Sequence, residues 1–494
     1  MFQSLCAGRS GARAAPTLTT LSAAVSALLL AGCASFDIDR EVAGLNAAQP
    51  AFTQGALSLA HDEAGRTERA REAQRLLSAP LGRDEAVRLA LANSPALQAL
   101  LSQQLADLAS ANAAGRIPNP VFAFERVRNG DELELGRVLS FGLLDLITWP
   151  QRNALAREQQ AQVRVQLGAT LVDQVSAVRQ AWVRAVAAQQ SLAYARQVQE
   201  AAHASAELAR RMQATGNFSR LQRARQHAFY ADATARLASA QHAATATRED
   251  LVRRLGLDDA QAQRLRLPER LPDLPAVPLE PAQVTGAARE QRLDWQLARL
   301  QLEAAGQAQR LNLVTSLIDV DAGVRRDTQF DGGRRSNPRG WELEIRLPLF
   351  DWGDARRAAM NARSLAAAHR YESVTRSASS QLREAYSSYR TTWELARHYR
   401  DEVVPLRKTV SEENLLRYNG MLIGVFELLA DTREQVGSVI ASIDAQQQFW
   451  LADAALAAAV TGRPIDAAGR PAAALGTPAT APMPAAAAPH GPGH

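Results

Sequence analysis

The side chains that could do chemistry in this 494-residue chain are mostly carboxylates and arginines. Lys408 is its single lysine, so a phosphate-binding loop that requires Gly-Lys cannot be present. The eight histidines are scattered and none precedes a glutamate, which leaves no zinc-hydrolase motif. Because no nucleophile–base pair or metal-ligand set recurs, the sequence predicts no enzyme, no metal site and no cofactor.

Cys33 is the exception, since its surroundings indicate a modification. Arg9 and Arg13 precede an apolar run, and Leu30-Ala31-Gly32-Cys33 has the pattern of a lipobox. We expect residues 1–32 to be a lipoprotein signal peptide and Cys33 to carry the acyl chains. The alternative is a buried N-terminal helix with a chance cysteine, although the run is shorter than the ~20 residues that span a bilayer. Ala34 is not acidic, so the outer membrane is the expected destination.

The charge balance and the tail limit the partners. A formal net charge of +5 over the whole chain is too small for a nucleic-acid footprint. His490 and His494 close an Ala- and Pro-rich tail that is expected to be disordered. They could hold a metal weakly, or they could simply end that tail.

The chain repeats one plan. Trp149 and Trp352 each follow an apolar stretch and precede a long helical pattern, 203 residues apart. Both helical patterns break at a glycine, Gly216 and Gly420, 204 residues apart. This period is too long for a solenoid and indicates a duplicated half-protein.

Periodicity gives the element order in each half. A polar segment precedes the first helical pattern, which is expected from Asp84 to about residue 114 with an interruption at Asn93-Ser94-Pro95. We then expect strands at 121–127 and 133–143 and helices at 151–214 and 219–255; in the second half, a helix to about 313, a strand at 317–325, a loop at 327–340, a strand at 341–349 and helices at 354–418 and 426–460. The expected domains are the signal peptide (1–32), an N-terminal lipid-anchored segment (33–80), a first repeat (81–257), a Pro-rich linker (258–281), a second repeat (282–462) and a disordered tail (463–494).

The length of the long helices indicates coiled coils. About 63 residues at ~1.5 Å each form a rod of roughly 95 Å, too long for a compact globular core. Aromatic residues such as Trp182 and Trp393 recur at coiled-coil spacing and are expected to pack in the seam. Pro405 lies inside the second rod and should kink it or need a compensating neighbour.

The strands of the second half alternate apolar and polar residues. One face is predicted to carry Asp319, Asp321, Glu342 and Glu344, and the other is apolar. This is the pattern of a membrane strand that is apolar outside and polar towards a lumen, although a half-buried hairpin in a soluble sheet alternates in the same way. Four strands cannot close a barrel in lipid, so the chain would have to oligomerise. Three copies would supply twelve strands.

In this order the elements resemble the outer-membrane efflux protein family, the TolC-like channels, in particular their lipoprotein branch with heavy-metal and multidrug members. The resemblance spans roughly residues 80–460. It depends on the duplication and on two local signatures. One is the passage from strand to helix at Trp149-Pro150 and Trp352-Gly353, and the other is Arg417-Tyr418-Asn419-Gly420 followed by Val425-Phe426-Glu427-Leu428-Leu429.

The resemblance implies a mainly α-helical homotrimer, with an α-helical periplasmic barrel and a 12-stranded outer-membrane β-barrel. It also implies that the helix-hairpin tips, with Gly216, Asn217, Gly420, Met421 and Leu422, dock to a periplasmic adaptor that is joined to an inner-membrane pump. Glu427 matches the first acidic residue of the family's periplasmic gate. Ala430 stands where the second acid is expected, and Asp431 follows it.

The resulting hypothesis is a passive outer-membrane channel of a tripartite efflux system, conducting metal cations or small toxic compounds to the exterior. Carboxylates on the lumen face would favour cations, although Arg325 and Arg346 share that face. The alternative is a lipid-anchored coiled-coil tether without a pore. The sequence does not distinguish metal from drug substrates.

Overall fold

The computed structural model describes residues 36–130, 132–315, 319–331, 333–346 and 352–464. The predicted signal peptide, Cys33, His490 and His494 lie outside these residues. Within them, no helix is both long enough and apolar enough to cross a membrane.

The N-terminal segment contains helices that the sequence analysis did not predict: α1 (Ile38–Ala48), α2 (Pro50–Thr53) and α3 (Glu63–Leu76). Asp37 and Asp62 cap α1 and α3 by accepting bonds from Arg40 and Gly65 amides. The expectation of a plain polar segment was therefore wrong. Helix α3 is polar almost throughout, so its pattern carries little periodic apolar signal.

The remaining elements repeat in two halves. Each half has two shorter helices, a strand pair, a long helix and a 36-residue helix that returns along it. The first half contains α4 (Arg83–Asn93), α5 (Pro95–Ala114), β1 (Val121–Asn129), β2 (Glu132–Gly142), α6 (Leu143–Ala214) and α7 (Arg220–Leu255), and α8 (Asp259–Arg264) lies in the predicted linker. The second half contains α9 (Pro281–Gln291), α10 (Leu293–Thr315), β3 (Asp319–Arg326), β4 (Thr328–Asp331), β5 (Arg334–Ser336), β6 (Arg339–Arg346), α11 (Asp354–His398), α12 (Val404–Asn419) and α13 (Val425–Val460).

The first long helix continues through its proline, Pro150, whereas the second has a widened turn just before Pro405. Helix α6 begins at Leu143, directly after β2, and not at residue 151 as expected, so Trp149 and Pro150 lie inside it. The Trp149 indole donates to the Gly115 carbonyl oxygen at 3.1 Å. In the second half, a π-helical turn at Tyr399–Val403 separates α11 from α12 just before Pro405. Because a proline ring clashes with the carbonyl four residues earlier, a widened turn there is the compensation that Pro405 needs.

The six strand segments form four continuous antiparallel lines in one sheet. β3 and β4 both pair with β2 in one register, and β5 and β6 pair with β4 and β3 in one register. The predicted loop at 327–340 was therefore wrong, because it contains β4, β5 and the start of β6. The outer line is interrupted where Pro338 has no amide hydrogen for the ladder, although its carbonyl accepts from the Asp327 amide at 3.1 Å.

The core repeats with the halves. Trp182 and Trp393 are both buried, as the coiled-coil spacing predicted. The Trp182 indole donates to the Leu81 carbonyl at 2.8 Å, and the Trp393 indole donates to the Pro275 carbonyl at 3.0 Å. Each tryptophan thus binds the segment that precedes the first short helix of its own half. In both halves the buried indole N–H is satisfied by a backbone carbonyl of that segment.

Candidate functional site: the sheet and the two hairpin tips

The sheet has one apolar and one polar face because its register is unbroken. Val324 pairs with Leu139 on one side and with Trp341 on the other, and Leu139 pairs with Phe122. These side chains share one face and are exposed, Trp341 by 80% of its surface. An exposed sheet face of this kind has to be covered by something outside the single chain, since large exposed apolar patches mark interaction surfaces.

The opposite face carries the predicted acidic residues. Asp321 pairs with Glu344, and Glu342 pairs with Gly323, while Asp319 begins β3 opposite Arg346. The first strand pair adds further carboxylates to this face, and Arg325 and Asp327 share it as an ion pair with Nε and Oδ2 2.8 Å apart. Asp321 and Glu344 lie directly opposite each other, so the pair concentrates negative charge at this point of the face. The added carboxylates are Glu125, Glu132 and Glu134.

The first hairpin tip, between α6 and α7, is a closed turn. Gly216 has φ +79, and the amides of Gly216 and Asn217 donate to the carbonyls of Gln213 and Met212. This is the Schellman pattern, in which glycine takes the left-handed position. Ser219 and Gln222 then form a reciprocal capping box at the start of α7.

The second tip, between α12 and α13, has the same hydrogen bonds with a different residue in the strained position. The amides of Met421 and Leu422 donate to the carbonyls of Tyr418 and Arg417. Met421 therefore occupies the left-handed position, with φ +58, while Gly420 has an ordinary φ of −81. The equivalence of Gly216 with Gly420 suggested by the sequence is off by one residue. Met421 and Leu422 are 93% and 73% exposed.

The two predicted gate acids lie one helical turn apart on α13 but differ in exposure. Glu427 is exposed in the first turn of α13, where the helix dipole favours a carboxylate. Asp431 is only 8% exposed, and no described residue bonds its Oδ2 atom. Two residues further, the Arg433 guanidinium lies 4.5 Å from the Phe229 ring centre, which joins α13 to the first hairpin.

One polar contact between the halves was not predicted from the sequence. Arg83, the first residue of α4, bonds Asp453 of α13 at 3.0 Å and lies over the Trp450 ring. Burial raises the pKa of the Asp453 carboxyl, and the Arg83 guanidinium works against that rise. The partners are 370 residues apart, so no local pattern could reveal the pair.

In the part of the chain that the structure describes, no group of three or more His, Cys, Asp or Glu side chains could hold a metal ion.

Solved structures show what the fold is. A membrane protein from Pseudomonas aeruginosa is 22% identical, with 79% of this chain and 93% of that chain covered and a TM-score of 0.63. The Campylobacter jejuni CmeC outer membrane channel is 14% identical and has a TM-score of 0.65; the match covers 77% of this chain and 85% of that channel. The chain has the fold of outer-membrane channels. The open state of the Neisseria gonorrhoeae MtrE outer membrane channel is also similar, at 17% identity, 79% and 89% coverage and a TM-score of 0.62.

These likenesses confirm the mainly helical fold with a small sheet that the resemblance implied for the single chain. No protein-family model and no curated protein sequence matches the chain. At such identities the likeness concerns the fold, and the roles of individual residues depend on the geometry described above.

Proposed function

We propose that the chain is the outer-membrane channel of a tripartite efflux system, which passively conducts metal cations or small toxic compounds from the periplasm to the exterior. The observation that carries the proposal is the sheet with one apolar and one acidic face, joined to long helical hairpins in the fold of outer-membrane channels.

The edges of the sheet support a trimer. In the described part of the chain, β1 pairs only with β2 and β6 pairs only with β3. In lipid, the free backbone groups of both edges would be costly. Three copies joined edge to edge would form a 12-stranded barrel, with the apolar face towards lipid and the acidic face towards the lumen. Acyl chains on Cys33 would anchor each copy to the same membrane.

The acidic face would select for cations. Asp319, Asp321, Glu342 and Glu344, repeated by a threefold axis, would concentrate cations and repel anions in the lumen. At the periplasmic end, Glu427 is the gate acid whose exposure allows three copies to meet. Asp431 would support the gate from within the hairpin. The apolar tip of Met421 and Leu422 would meet the adaptor, which joins the channel to the pump.

Neighbouring residues of β6 provide the test. Leu343→Arg should cost about 2–4 kcal/mol if the residue faces lipid near the midplane, and should prevent trimer insertion. Glu342→Arg, its neighbour on the acidic face, should insert and shift the reversal potential of planar-bilayer currents towards anion selectivity. Glu427→Ala should raise the conductance of the same channels.

The tether without a pore makes the opposite prediction. If the purified wild-type chain forms no trimer in detergent and passes no ions, the channel is excluded. If Leu343→Arg and Glu342→Arg are tolerated equally, the sheet is not a membrane wall.

A further inference from the structure

Arginines are present on the apolar face of the sheet, where the alternation predicts none. Register assigns six to this face: Arg126 and Arg128 of β1, Arg137 of β2, Arg326 of β3, Arg335 of β5 and Arg339 of β6. We refer to these six as the arginine belt.

The belt lies at the end of the sheet away from the long helices. The strand turns at Gly130 and Gly333 lie just beyond it, and helix α6 leaves the sheet at the other end. Directly next to the belt on the same face are Leu139, Val324 and Trp341. Towards the turns this apolar zone gives way to a mixed zone, in which the arginines lie among Leu133, Leu135 and Phe330.

Three of the belt arginines stand side by side. Arg326 pairs with Arg339, and the common register of β3 and β4 against β2 puts Arg137 level with Arg326 on the other side. Like charges on adjacent strands repel each other, so this row has a cost unless an anion neutralises it.

Within the described residues, no carboxylate forms an ion pair with any of the six. Their strand faces carry no Asp or Glu, because the carboxylates of these strands lie on the opposite face. Arg325, which points to that opposite face, is paired with Asp327. Five of the six are exposed, and Arg137 is half-buried. Among the described residues, the Arg335 guanidinium lies 5.8 Å from the Phe330 ring centre.

We infer that the arginine belt binds the phosphate groups of lipid headgroups in the outer leaflet. The inference rests on the proposed function, since it requires the apolar face to meet lipid. Guanidinium groups bind phosphate oxygens in a bidentate manner, and cationic side chains next to a membrane surface add binding energy for anionic lipid. A row of unpaired arginines where an apolar wall meets water fits a phosphorylated headgroup better than it fits lipid tails or bulk solvent.

The test uses the full-length chain in phosphatidylcholine vesicles with and without bisphosphorylated lipid A. The belt variant carries Arg326→Gln, Arg335→Gln and Arg339→Gln. Its affinity for fluorescent lipid A should fall by about fivefold per arginine, on the order of a hundredfold in all, while insertion and conductance persist. The matched control is Arg334→Gln, which is exposed on the same hairpin next to Arg335 but belongs to the acidic face. It should leave lipid A affinity unchanged.

The outcomes separate the two proposals. A wild-type chain that neither inserts nor conducts would overturn the proposed function. A conducting belt variant with wild-type lipid A affinity would overturn the lipid site alone, as would a belt variant that changed ion selectivity, because the belt would then face the lumen. If the triple variant does not insert, Arg335→Gln against Arg334→Gln decides, with a fivefold loss expected for the first and none for the second.

Discussion

The two hairpin tips have the same hydrogen-bonding pattern, but the residue in the left-handed position is a glycine in one and a methionine in the other. The first tip has glycine in the left-handed position and a capping box at Ser219. The second has Met421 in that position and no side-chain cap at Gly424. The first tip is therefore relaxed and polar, whereas the second is strained and apolar.

The difference shows where the duplicated halves have separate requirements. An L-residue in the left-handed region costs about 1–2 kcal/mol, and such strain concentrates at functional positions. Here the strained position holds an almost fully exposed methionine at the end of the second hairpin, beside the exposed Leu422. We therefore expect the second tip to make the more specific contact and the first tip to serve chiefly as a turn.

Substituting alanine for the glycine at each tip should give the largest difference in stability between the two tips. Gly216→Ala should destabilise the first tip by about 1–2 kcal/mol; nothing lies within 4 Å of the added methyl group, so the cost is conformational. Gly420→Ala is the control and should be nearly neutral, because φ is −81 and the new contacts are ordinary, from 3.5 Å. Hydrogen exchange at the tip amides measures both. Equal effects would mean that the halves share Gly216–Gly420 equivalence after all.

Met421→Gly should have a smaller effect of opposite sign. Removing the left-handed strain should stabilise the second tip by about 0.5–1 kcal/mol after the added freedom of glycine in the unfolded chain is subtracted. The Leu422 amide, bonded to the Arg417 carbonyl at 2.8 Å, should then exchange more slowly.

The same change separates structure from docking. If the methionine side chain contacts an adaptor, Met421→Gly should weaken binding of the purified adaptor even though the tip is more stable. Met421→Asn is the control for backbone strain, since asparagine tolerates the left-handed region and lacks the apolar side chain. Adaptor affinity that is unaffected by both changes would show that Met421 is not a docking residue.

The sequence predicted the repeat and the strand faces, because both follow from period and alternation alone. It misplaced the second turn by one residue, since glycine is the usual left-handed residue and Gly420 was the nearest glycine. It also assigned a loop to residues 327–340, where Pro338 and several arginines mask two strands.

The missed strands explain why two residues of the arginine belt were missed. Arg335 and Arg339 lie in the predicted loop, and a loop assigns its residues to neither face of a sheet. The strand register places both on the apolar face. The burial of Asp431 and the Arg83–Asp453 contact depend on residues far apart in the chain, and no local pattern carries that information.

The smallest predicted effect concerns charge near the first tip. Arg210 and Arg211 donate hydrogen bonds to the Glu207 carboxylate and lower its pKa from 4.5 to about 2. A carboxyl pKa that is depressed in the folded chain contributes stability above the unfolded value, and this contribution is lost as pH falls from about 4.5 towards 2. The group is fully exposed, so the effect should be small and screened by salt.

In wild type, protection of the Thr215 and Gly216 amides should fall over this range, and in Glu207→Gln this part of the fall should be absent. Glu412 occupies the equivalent position before the second tip and, among the described residues, forms an ion pair with Lys408, 3.8 Å away, so Glu412→Gln should leave the first tip unchanged. An identical fall in wild type and Glu207→Gln would show that this arginine pair does not stabilise the first tip, and the contrast between the tips would then depend on Gly216 and Met421 alone.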